Sequence, residues 1–219
     1  MRSFGAEQIA DLDKIARLNL INSCTGYKSA NLIGTLHDDG TPNVAVFSSV
    51  THMGSNPPLL GFVVRPTTVP RDTYANLKRT GSFTVNHITS HMVADAHMTS
   101  ARYEKGDSEF DHTSLTAVFE DGVEVPFVAG SPVRLLCRYE NEYPIQENGT
   151  ILVVATIVRI DCRPELLHDD LWLQLDKGDV VSVTGVDGYA LPKIIDRFSY
   201  ARPGKPLESL LDTAPRHKS

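Results

Sequence analysis

Apolar positions change their period several times along this chain, and each change marks an element. Ile9, Leu12, Ile15, Ala16 and Leu20 recur at helical spacing with Glu7, Asp11 and Lys14 turned away, which predicts an amphipathic helix over residues 6–20, within an N-terminal helical segment 1–22. After Gly26 the period falls to two. Leu32, Gly34 and Leu36 alternate with Ile33 and Thr35, Asp38-Asp39-Gly40 turns the chain, and Val44 to Phe47 returns, the pattern of a β-hairpin. Beyond Pro57-Pro58, the unbroken apolar run Leu59 to Val64 suits a strand covered on both faces. Thr67-Thr68-Val69-Pro70-Arg71-Asp72 reads as a helix start, a hydroxyl cap with proline in the first turn and then an acid; that helix ends before Gly81.

Ser82 to His87 alternates as another strand, and Ser90 is expected to cap a short helix reaching Ser100. Residues 101–113 are densely charged around Gly106 and read as a mobile loop. Val133 to Ile145 and Ile151 to Ile160 flank Glu147-Asn148-Gly149, the clearest hairpin in the chain. A last strand is expected at Val180 to Val183, and from Pro203 the tail 203–219 is expected to order only against a partner. Strands joined by hairpins, with a few short helices, predict a mainly β protein: an antiparallel barrel with helices at its ends. Residues 59–64 and 82–87, linked by a crossover helix, leave a parallel α/β sheet as the alternative. No repeat or linker divides the chain, so 1–219 is read as a single domain.

Composition narrows the function. Ile, Leu, Val and Phe supply 60 of the 219 residues, far above the share at which chains stay disordered. A net charge of −6 argues against nucleic acid or an anionic membrane as partner. No apolar run approaches the ~20 residues of a membrane span, and the N-terminus carries acids where a secretory signal needs an apolar stretch. Three cysteines without CxxC spacing support neither a disulfide framework nor a zinc ribbon, and Cys24 and Cys162 read as core residues. A reduced, cytoplasmic protein is the expectation.

The glycines exclude further chemistry. No two stand two or four apart, so both G-x-G-x-x-G and G-x-S-x-G are absent, and the P-loop and H-E-x-x-H motifs are missing too. His87, His91 and His97 occupy a strand end and a helix without a carboxylate at ligand spacing; they read as a partly buried His87 and two surface histidines rather than a metal site.

One constellation points to an anion. Phe47-Ser48-Ser49-Val50-Thr51 ends a strand with three hydroxyls, and Arg65, Thr67, Thr68 and Arg71 precede Asp72-Thr73 at the start of a helix. The helix dipole disfavours a cation such as Arg71 there by up to ~1 kcal/mol. A phosphate at the helix start would remove that conflict, because backbone N–H groups, hydroxyls and guanidinium together match it. The alternative is Arg71 paired with Asp72 or with solvent.

These residues carry a resemblance. From Asn19 to Asn86, and again through HMTSARY…SEFD and the Asn148-Gly149-Thr150 hairpin, the chain resembles the flavin reductase-like proteins with an FMN-binding split barrel, of the flavoredoxin type. The most specific parts are the hydroxyl-rich segment before Pro57-Pro58, Arg71-Asp72-Thr73 (often Lys-Asp-Thr in relatives) and Val85-Asn86. The resemblance implies a Greek-key split β-barrel, a homodimer, and FMN near the dimer interface. It places the flavin phosphate on the Ser48 to Thr51 segment with Arg65, Thr67, Thr68 and Arg71, and sets Asn86 and His87 toward the ring. It further implies hydride transfer from NAD(P)H to the bound flavin and electrons passing on to free flavin or another acceptor, which needs no side-chain acid or Rossmann turn. The 101–113 loop, with Tyr103 and Phe110, would be a lid, or else a solvated surface loop. Two alternatives stand beside this: an FMN electron carrier reduced by a protein partner, and a β-barrel that has lost its cofactor.

Overall fold

The computed structural model describes residues 1–104 and 106–211, so Lys105 of the charged loop and residues 212–219 of the expected tail lie outside the described residues. The N-terminal apolar pattern forms two helices, α1 (Ala6–Ala10) and α2 (Lys14–Cys24), instead of one. Asp13 makes the break. Its carboxylate accepts from the Ile15 and Ala16 backbone N–H groups at 2.9 and 3.0 Å, which starts a new helix. No residue of either helix is fully buried: Ile9, Ala16 and Leu20 are half-buried, as is Leu12 between the helices, Ile15 is exposed, and Cys24 is exposed rather than internal.

The chain continues through β1 (Lys28–Ser29), β2 (Asn31–Leu36), β3 (Pro42–Phe47), β4 (Thr51–Ser55), β5 (Pro58–Val64), α3 (Asp72–Thr80), β6 (Ser82–His87) and α4 (Val93–Met98). It ends with β7 (Ala117–Glu120), β8 (Val123–Val128), β9 (Val133–Ile145), β10 (Thr150–Cys162), β11 (Ser182–Thr184) and β12 (Gly188–Ala190). The hairpins β2–β3 and β9–β10 fall where the alternating patterns predict them.

Seven strands form one antiparallel sheet in the order β3-β2-β6-β9-β10-β5-β4. Laid flat, steps of about 4.8 Å would part its two edges by about 29 Å. Those edges, β3 and β4, are joined by Ser48 to Val50 alone, a link that reaches about 14 Å at full extension. The sheet must therefore curl into a barrel. Ser49 seals the join: its hydroxyl accepts from Val63 N–H at 3.0 Å and donates to the Val63 carbonyl at 3.3 Å. β5 and β6 are separated in this order and each pairs antiparallel with its neighbours, which removes the parallel α/β alternative.

Ile33, Phe62, Leu77, Phe83, Val85 and Val153 fill the barrel. Leu32, Val44, Ile88, Phe110, Val128 and Val181 form a second core on the other face of β2 and β3. There β8 crosses the barrel wall so closely that a Cβ on Gly34 would overlap the Pro126 carbonyl oxygen. Among the described residues no helix is long and apolar enough to cross a membrane.

Several local expectations are corrected. Neither Thr67 nor Thr68 caps α3, which opens at Asp72 behind Arg71, whose backbone is extended (φ −131°, ψ 91°). Pro70 explains the shift, since a proline disfavours helical backbone in the residue before it and so keeps Val69 out of a first turn. The Ser90 helix is a 3₁₀ turn, Ser90–Met92, leading into α4, with Thr89 before it. Half of the charged loop is anchored: Ser108 and Phe110 are buried, and Tyr103 stacks on His112 at 4.6 Å. The described part of the tail folds back on its own chain, with Ser199 N–H donating to the Glu208 carbonyl at 2.9 Å.

Candidate functional site

β3 is an edge strand, and its outer N–H groups would be a template for another strand if left bare. Side chains take that place. Val44 N–H donates to Glu109 Oε2 at 3.0 Å, Val46 N–H donates to Thr99 Oγ1 at 2.9 Å, and the Ser108 hydroxyl donates to the Pro42 carbonyl at 2.5 Å. Further along, the backbone N–H groups of Ser48 and Ser49 donate to no described residue.

A cavity of about 740 Å³ opens along this edge, within the ~300–1,000 Å³ common for small-molecule sites. Its floor is Asn43 and Ala45 to Ser49. One end is formed by Val63 to Arg65 at the end of β5 and by Pro70 to Tyr74 at the start of α3. The far side is built from His97 and Thr99 to Ala101, from Leu18 and Asn22 of α2, and from Val183, Val186, Asp187 and Tyr189 around the β11–β12 turn.

Positive charge gathers at one end. Arg65 is exposed and Arg71 half-buried, and neither pairs with a carboxylate among the described residues. Arg71 uses only Nε, donating to the Pro66 carbonyl at 3.4 Å. α3 has no side-chain cap, so its first-turn N–H groups, at Asp72, Thr73 and Tyr74, stay open and carry the positive end of the helix dipole. Two guanidiniums without a carboxylate partner, open N–H groups and the Ser48 hydroxyl form a donor set fitted to a phosphate dianion.

Of the residues expected from the sequence, Phe47, Ser48, Ser49, Arg65, Arg71, Asp72 and Thr73 line this cavity together. Val50, Thr51, Thr67 and Thr68 flank it without lining it; Thr51, Thr67 and Thr68 are exposed, and the Val50 carbonyl accepts from the Ser29 hydroxyl at 2.6 Å. Asn86 is fully buried and committed elsewhere. Its Nδ2 donates to the Leu32 carbonyl and Thr84 Oγ1, and its Oδ1 accepts from Val128 N–H, which fastens β8 to the barrel. His87 lies opposite Asn31 on β2, outside the lining, and burial lowers its pKa to about 4.

Sequence reasoning missed Thr99, Glu109, His97 and Tyr189 as lining residues. The one available signal for Glu109 was Phe110, a large apolar side chain inside a charged run, which marks a point that must pack. Burial raises the Glu109 pKa, and the bond from Val44 N–H opposes that rise. His97 Nδ1 lies 3.2 Å from the Tyr189 hydroxyl, whose pKa is raised by burial and then by the charge of Asp187. Among the described residues, no serine or threonine hydroxyl of the lining bonds a histidine ring or a carboxylate; the Ser100 hydroxyl donates to the His97 backbone carbonyl at 2.7 Å.

Residues 27–177 match the family model of the flavin reductase like domain. A Shewanella frigidimarina protein assigned as a flavin reductase with a split barrel domain is 37% identical, with a TM-score of 0.88 over 92% of this chain and 100% of that one. Component B of nitrilotriacetate monooxygenase from Bacillus cereus shares the fold, with a TM-score of 0.77 at 21% identity over 91% and 98% of the two chains. An uncharacterised protein of Halalkalibacterium halodurans is 29% identical over 170 residues, 75% of this chain and 80% of that one.

Proposed function

The chain belongs to the flavin reductase-like family and has its mainly β split-barrel fold, and from that premise we propose that it is an oxidoreductase that holds FMN along the β3 edge and draws electrons from NAD(P)H. The observation that carries this reading is the meeting of Arg65, Arg71, the Ser48 and Ser49 N–H groups and the uncapped start of α3 at one end of a cavity of about 740 Å³. When bound, FMN supplies two-electron chemistry that no side chain of the lining offers, passing electrons to free flavin or another acceptor.

The chain's own residues bind and orient. Arg71 and the first-turn N–H groups of α3 take the phosphate charge, Ser48 and Ser49 add hydrogen bonds, and Arg65 neutralises the exposed side. Thr99 and Glu109 hold the strand edge that forms the floor, so the remaining polar contacts come from fixed backbone. Leu18 and Val186 add apolar surface to the far wall.

Two copies are proposed to assemble, because Val158 and Ile160 on β10 and Ile195 beyond β12 are exposed with no cover in this chain. Sedimentation should give twice the chain mass; a monomer at micromolar concentration contradicts the assembly.

A visible spectrum of the purified protein, followed by rapid mixing with NADH and with NADPH, tests the function. Bleaching of bound flavin by either nucleotide is expected. If only a reduced redox protein bleaches it, the chain is an electron carrier. A colourless protein that leaves FMN fluorescence unquenched overturns the reading altogether.

A further inference from the structure

Lys28 stands where two walls of the cavity meet. Its Nζ donates to the Asn22 carbonyl in the last turns of α2 at 3.0 Å and to the Gly185 carbonyl in the β11–β12 turn at 2.8 Å. A lysine at a helix C-terminus satisfies carbonyls the helix leaves unpaired and meets the negative end of its dipole. Both joined elements line the cavity, α2 through Leu18 and Asn22 and the turn through Val186 and Asp187.

Few contacts hold α2 in place: Ala16, Leu18, Leu20 and Asn22 are half-buried and the rest of the helix is exposed. Among the described residues, the bond to Asn22 is the one hydrogen bond from residues 1–24 to the chain beyond the Thr25–Gly26 turn; these residues make no ion pair to the body and none of them is buried. The turn supplies a hinge. Gly26 sits at φ +84°, a left-handed backbone that glycine adopts without cost.

We propose that Lys28 is a positioning residue that latches α2 across the cavity, making the helix a hinged wall whose release admits and frees the flavin. The proposal rests on the flavin reading for its ligand, but not for the attachment of the helix. A segment with no buried side chain opens at low cost, so two bonds from one charged donor set its open fraction.

Two measurements test this. In Lys28→Met, which keeps the apolar stem and removes the ammonium, amide hydrogen exchange over residues 14–24 should quicken about tenfold in the flavin-free protein. FMN and riboflavin should then leave faster by the same factor, because the latch does not touch the phosphate; Lys28→Arg should restore both values. Should Lys28→Met fail to fold, the opposite change tests the same hinge. A Cβ on Gly185 would lie 3.9 Å from Ser23 Cβ, within disulfide reach, so Ser23→Cys with Gly185→Cys on a Cys24→Ser background can lock the helix. Oxidation should slow flavin release about tenfold and reduction should reverse it, each variant serving as its own control for the strain of a side chain at Gly185, φ +67°. Unchanged exchange in Lys28→Met, or equal release from locked and unlocked protein, overturns the latch. A protein that binds no flavin overturns the function instead, while the exchange measurement still decides the latch.

Discussion

Burial keeps the His87 imidazole neutral, with a pKa near 4 against an ordinary 6.5. Between those values the unfolded chain binds more protons than the folded one, so stability is complete above about pH 6.5 and falls as the solution is acidified. From this group alone the loss between pH 7 and pH 5 is about 2 kcal/mol. Denaturant titrations at the two pH values should show it in the wild type and not in His87→Gln; equal losses would assign the acid sensitivity elsewhere. His87 and its neighbour Asn86 also show what single residues conceal. Both were legible as belonging to an alternating strand, and the resemblance set both toward a flavin ring. Neither lines the cavity, because Asn86 spends its amide on Leu32, Thr84 and Val128, a partner set fixed by β8 crossing from far along the chain. Ser48, Ser49, Arg65 and Arg71, by contrast, were legible as residues that meet, since a cation at a helix start and a row of hydroxyls at a strand end were read together, and all four line one cavity.

At the scale of elements, the edge of β3 is the most informative. Glu109 and Thr99 satisfy two N–H groups that a neighbouring strand would otherwise take. Glu109→Ala strands the Val44 N–H, and the expected cost is about 1–3 kcal/mol with faster exchange of that amide. Retained protection at Val44 would contradict that role of Glu109. Hairpins were readable because turn residues and alternating periods sit side by side in the chain. Helix starts were less so. Apolar periodicity ran straight through Asp13, whose capping role shows only in its bonds to Ile15 and Ala16, and Pro70 displaced the start of α3 past the two threonines that looked like its cap. The charged run at 101–113 hid an anchored half, since its burial depends on one phenylalanine reaching a distant core.

For the whole molecule, closure is the deciding feature. Strand order is a long-range property, so the sequence left a parallel sheet open; the antiparallel pairing of β5 and β6 with separate neighbours removes that alternative, and the short Ser48–Val50 link between the two outermost strands closes the barrel. Gly34, where β8 crosses the wall, should tolerate no side chain: Gly34→Ala is expected to cost about 3 kcal/mol or more, read from the denaturation midpoint, and a neutral substitution would contradict the crossing. Closure also gathers the cavity from β3, the β5–α3 link, the segment around Thr99 and the β11–β12 turn, and puts both arginines at one end of it. The most direct test of that arrangement is to titrate wild type and Arg71→Glu with FMN and with riboflavin. The account expects the wild type to bind FMN at least tenfold more tightly than riboflavin, a margin within the worth of one charge-assisted contact, and Arg71→Glu to erase the difference while riboflavin binding holds. Equal affinity of the wild type for both ligands, or a parallel weakening of both in the variant, would contradict it.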